Sequence, residues 1–145
     1  MRQQRPDVVD PSRVRQGLWD QVNKTSHDLV ARLAITPLVQ EARGLDAGPR
    51  LVHRLRSEGD ADTARVVQII VEEEVSHVAV GMRWFSRVCS GAGLDARSEF
   101  QRVVRAHVPT LLPGPLNHEA RGAAGMPREW YAPLETQAAR EQSEQ

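Results

Sequence analysis

The chain has 145 residues, with nineteen Lys and Arg against nineteen Asp and Glu, so it carries no net charge at neutral pH. That balance argues against broad electrostatic binding to nucleic acid or anionic lipid, which needs a basic surplus. Hydrophobic residues make up 40% but aromatics only 4%, so one domain's core must be built mainly from Val, Leu, Ile and Ala.

The opening stretch, residues 1–15, reads as a polar, disordered leader, with Pro6 and Pro11 among Arg, Gln and Asp. It has no apolar run of the secretory kind. From Gly17 an apolar periodicity begins with Leu18, Trp19 and Val22 and continues through Leu29, Val30, Leu33 and Leu38. This predicts a helix from about Trp19 or Thr25 to Arg43, closed by Gly44 and kinked at Pro37, whose ring clashes with the Leu33 carbonyl. Asp46-Ala47-Gly48-Pro49 reads as a turn and Leu51–Leu55 as a short helix.

Asp60 or Asp62 is placed to cap a second long helix that reaches about Cys89 and stops at Ser90-Gly91. Leu94-Asp95 is a turn, and residues 97–108 repeat Phe100, Val103, Val104 and Val108 at helical spacing. Pro109, Pro113, Gly114 and Pro115 interrupt; Asn117–Ala124 is a short helix, Pro127–Leu134 a weak turn, and residues 135–145 a polar tail. No segment alternates with period two, so the class is all-α, with one helical domain over residues 16–134. No apolar run approaches a membrane span. A single cysteine, Cys89, rules out an internal disulfide and suits a reducing compartment, so a cytoplasmic location is expected.

Chemistry enters through the apolar stripes. On a helical wheel Glu74 falls in the middle of the second helix's stripe, with Val67, Ile70, Val78, Gly81 and Phe85, and His77 lies one turn along. Glu41 falls in the first helix's stripe with Val30, Ala34 and Pro37. A bare carboxylate in an apolar interior costs several kcal/mol, so both sites call for a metal ion, an arginine (Arg43, Arg65 or Arg83) or a proton. Glu74-Val75-Ser76-His77 is a Glu-x-x-His motif, whose i and i+3 side chains project together towards one ion. Carboxylates with one imidazole suit iron or manganese. Glu73, at the edge of the stripe, is a candidate to orient the imidazole from behind. His27 is too far along the axis to share an ion with Glu41 and is expected in a buried polar contact. His53, His107 and His118 suit surface or capping roles, Cys89 and Trp84-Phe85 suit the core, and Arg50, Arg54 and Arg56 a solvated face. Gly81 implies close helix approach or room beside a site, while Gly44 and Gly48 are explained by turns.

Three stretches carry a family resemblance: His27-Asp28-Leu29 through Glu41-Ala42-Arg43-Gly44-Leu45-Asp46; Glu73-Glu74-Val75-Ser76-His77 through Trp84-Phe85; and Gly114-Pro115-Leu116-Asn117-His118-Glu119-Ala120-Arg121 with Ala124-Gly125. Together they resemble a ferritin-like family of bacterial proteins with a domain-of-unknown-function label. The resemblance implies a four-helix bundle with a di-iron or di-manganese centre, here represented by its C-terminal half: two long antiparallel helices plus short ones. It further implies Glu41, Glu74 and His77 as metal ligands and oxygen-dependent oxidoreductase chemistry of the hydroxylase kind. A site of that type needs a second Glu and a second Glu-x-x-His, from a homodimer or a complementary N-terminal half. The contrasting expectation is a non-catalytic helical interaction module, or a truncated fragment with a degenerate metal site.

Overall fold

The computed structural model describes residues 19–108, 112–136 and 141. The polar leader and most of the tail lie outside the described residues. Residues 19–24 are helical. The chain then turns at Thr25, whose hydroxyl donates to the Gln21 carbonyl at 2.8 Å. Asp28 restarts the helix by accepting from the Ala31 N–H at 2.9 Å, and α1 spans Leu29–Ile35.

Pro37 lacks an N–H and so releases the Leu33 carbonyl from its usual partner. The chain answers with a π-helical turn over Thr36–Glu41, a wider coil that absorbs such a mismatch. This is the form taken by the kink expected at Pro37. The helix does not stop at Gly44. It continues as α2, Ala42–Ser57, with Pro49 inside it, so the expected turn at 46–49 and separate helix at 51–55 are corrected to one element. Pro49 leaves the Leu45 carbonyl without a helical donor, and Asn117 Nδ2 donates to it at 3.2 Å.

After a tight turn, Asp60 caps α3, Ala61–Gly91, by accepting from the Thr63 N–H at 3.0 Å. The two long helical runs are antiparallel. Gly81 sits on Pro37, Gly44 on Glu74 and Gly48 on Val71, so numbers rise on one run as they fall on the other. The glycines permit this closeness: a Cβ would lie 2.4 Å from Pro37 Cβ at Gly81 and 2.2 Å from Val71 Cγ2 at Gly48. Gly44 and Gly48 are therefore packing residues rather than turn residues.

Short helices cover one side of this hairpin. They are α4, Ala96–His107, capped by Asp95; α5, His118–Ala123, capped by Asn117; and α6, Arg128–Tyr131, running into a 3-10 turn at Ala132–Leu134. Phe85, Phe100 and Trp130 meet beneath them with ring centroids 5.8–6.3 Å apart, so three of the six aromatics pack where three elements join. Cys89 is fully buried there, and burial pushes its thiol pKa up. Glu135 and Thr136 are tied to Leu112, with the Thr136 N–H donating to its carbonyl at 3.1 Å. No strand forms among the described residues, and none of the described helices is long and apolar enough to cross a membrane. The class is all-α.

Candidate metal centre

The open side of the hairpin brings Glu41, Glu74 and His77 together. One ligand atom from each lies within 4.8 Å of the other two. Glu41 ends the π turn, so the wide coil decides which residues share its face: Leu33, Pro37 and Glu41 line one cleft with His77, Val80, Gly81 and Trp84. Glu74 and His77 come from successive turns of α3, with His77 Nδ1 3.3 Å from Glu74 Oε2. Gly44 faces the Glu74 side chain, where a Cβ would sit 3.3 Å from its Cγ. The cleft holds about 400 Å³.

This cleft is wetter than the apolar stripes predict. Glu41 is half-buried, Glu74 retains 21% of its side-chain exposure and His77 55%. Burial, and next the charge of Glu74, raise the Glu41 pKa above the ordinary glutamate value, while His77 draws it back in part. Two carboxylates this close repel each other, and a cation between them would relieve that repulsion. No arginine supplies that cation among the described residues: Arg65 pairs with Asp62 at 2.8 Å, and Arg43 and Arg83 are exposed, with no described ion pair. The donors are two hard oxygens and one imidazole nitrogen, a set that fits iron or manganese. Glu73 is exposed and makes no described hydrogen bond to His77.

The third stretch of the resemblance serves a different purpose, which sequence reasoning missed. Arg121 is 1% exposed and clamps Asp46 with two bonds, Nε to Oδ1 at 2.9 Å and Nη2 to Oδ2 at 2.6 Å. The Asn117 N–H donates to the same Asp46 oxygen at 2.9 Å. Tyr131 lies under the guanidinium at 4.8 Å and its hydroxyl is hydrogen-bonded to His118 Nδ1 at 2.8 Å. Asp46 and Arg121 are more than seventy positions apart, so no local spacing links them. The remaining histidines stand apart from the cleft: His27, expected to be buried, is exposed, as is His53, and His107 bonds the Val103 carbonyl. Trp84, expected in the core beside Phe85, is 56% exposed on the open side. Arg50, Arg54 and Arg56 form the solvated face their spacing implies.

A family model described as a protein of unknown function (DUF455) matches residues 12–132. The chain belongs to that family. It is also 35% identical over 109 residues to an uncharacterised protein of Haemophilus influenzae. The match covers 75% of this chain but only 38% of the relative, so the chain spans well under half the length of that curated protein. No solved structure matches.

Proposed function

We infer that the chain is a ferritin-like metal-binding protein in which Glu41, Glu74 and His77 hold iron or manganese. The observation that carries this reading is the convergence of the three donors within 4.8 Å with no arginine among the described residues reaching either carboxylate. Such an ion would supply a Lewis-acidic, redox-active centre, and the finer reading is an oxygen-dependent oxidoreductase of the hydroxylase kind.

The chain's own residues have definite roles in this reading. Glu41 and Glu74 supply the negative charge, and burial of Glu41 strengthens its pull on a cation. His77 supplies the nitrogen, and Glu74 beside it limits its rotation. Leu33, Pro37, Val80 and Trp84 form an apolar rim that shields the donors from water on one side. Three protein ligands leave open positions, which a second copy of the chain or a separate N-terminal half would fill or cover.

The test is elemental analysis of protein purified without chelator. Wild type is expected to carry iron or manganese in a fixed ratio to chain, and Glu74→Ala and Glu41→Gln to lose most of it. Equal trace metal in all three proteins would overturn the reading in favour of a helical module without chemistry.

A further inference from the structure

Along the open side of the hairpin, α3 carries a stripe of apolar residues that the described elements leave about half exposed. Val66, Ile70, Val80 and Trp84 are 42–56% exposed, and Glu73 and His77 are exposed between them. The spacing of these six is four, three, four, three, four, the heptad pattern of a helix that pairs with another helix. A stripe of this kind, next to an open cleft, marks an interaction surface.

We propose that this face pairs with the same face of a second copy, antiparallel and centred on Val75. The position numbers of facing residues then sum to one value. Val66 faces the partner's Trp84, Ile70 the partner's Val80, and Glu73 the partner's His77. Each match is complementary: the bulkiest apolar residue meets one of the smallest, two aliphatics meet, and a carboxylate meets an imidazole. A parallel pairing sets Glu73 on Glu73 and Trp84 on Trp84, repelling in one layer and crowding in another. Two-fold symmetry makes every favourable contact occur twice. The stripe runs about 27 Å along the helix, and the cleft lined by Val80 and Trp84 opens onto it. The partner's Glu73 thereby reaches His77, giving the imidazole an acceptor from outside its own chain. The pairing stands on the apolar face and holds without metal; only the role of the partner's Glu73 rests on the metal reading.

The experiment uses the full chain in buffer containing EDTA. Sedimentation is expected to give twice the chain mass for wild type and a monomer for Ile70→Glu, whose helical content is checked by circular dichroism. Register is read by mixing Ile70→Cys with Val80→Cys under mild oxidation. The mixture is expected to form a disulfide-linked dimer that neither variant forms alone. Each position lies about 15 Å along the axis from its own twin, beyond the reach of a disulfide, and native Cys89 is fully buried. A monomeric wild type, as when the face is covered by the chain's own residues 1–18 or by a different protein, overturns the proposal. So does cross-linking of Ile70→Cys to itself. A chelator-resistant dimer that never carries metal supports the pairing while sinking the metal reading, and a metal-loaded monomer does the reverse.

Discussion

Glu41 and Asp46 lie little more than one helical turn apart on the same hairpin arm, yet their carboxylates meet opposite surroundings. Asp46 is buried, with a guanidinium on two oxygens and a backbone N–H beside it. Glu41 is half-buried and faces a second carboxylate and an imidazole. The fold supplies the first with its own cation. The second has none among the described residues. A guanidinium from the fold itself makes the first a structural clamp, whereas the second stands among two further donor groups, and that is the physical difference between the covered and open sides of the hairpin.

The clamp should dominate stability. Arg121→Met strands the Asp46 charge in a dry site and is expected to cost about 3–5 kcal/mol, measured by urea unfolding. Adding Asp46→Leu should recover part of the loss; no recovery would mean that Arg121 acts through Tyr131 and Met126 instead. Next comes the helix contact that both sides share. Gly48→Ala drives a methyl into Val71 and is expected to cost about 1–3 kcal/mol, with Val71→Ala restoring most of it. Asn117→Ala removes the α5 cap and the donor to the Leu45 carbonyl, for about 1–2 kcal/mol.

The smallest effect lies on the open side and has a pH signature. Glu41 holds its proton more tightly folded than unfolded, so without metal it binds more protons in the native state. Metal-free stability should therefore fall as pH rises from the ordinary glutamate value through Glu41's higher one, and Glu41→Gln should flatten that slope. Urea midpoints in chelator across that range give the comparison. An unchanged slope would overturn this account of Glu41. In the clamp region, the double variant Arg121→Met with Asp46→Leu, which leaves no carboxylate stranded, should keep this slope.

Much of the fold was legible in local chemistry. Asp60 caps α3 as its position before an apolar run implies, the Phe100–Val104 spacing marks a helix face, and Pro37 announces a disturbed turn. Glu74 and His77 are adjacent because any helix brings i and i+3 together. Other features were illegible for an identifiable reason. Gly44, Gly48 and Pro49 have turn chemistry in isolation, and only α3 packing against the glycines and Asn117 replacing the lost bond keep that segment helical. Trp84 has core composition but sits on the face that the covering helices do not reach.

Composition, periodicity and capping residues by themselves determined that the chain is helical, uncharged overall and furnished with a Glu-x-x-His pair. Helix formation follows from bonds and side-chain contacts within a few residues, so those properties are written locally. Tertiary structure alone decided that Glu41 meets that pair, that Arg121 belongs to Asp46, and that one apolar stripe of α3 stays open. Each of these depends on which surfaces remain after distant segments have packed, and no short window of sequence contains that outcome.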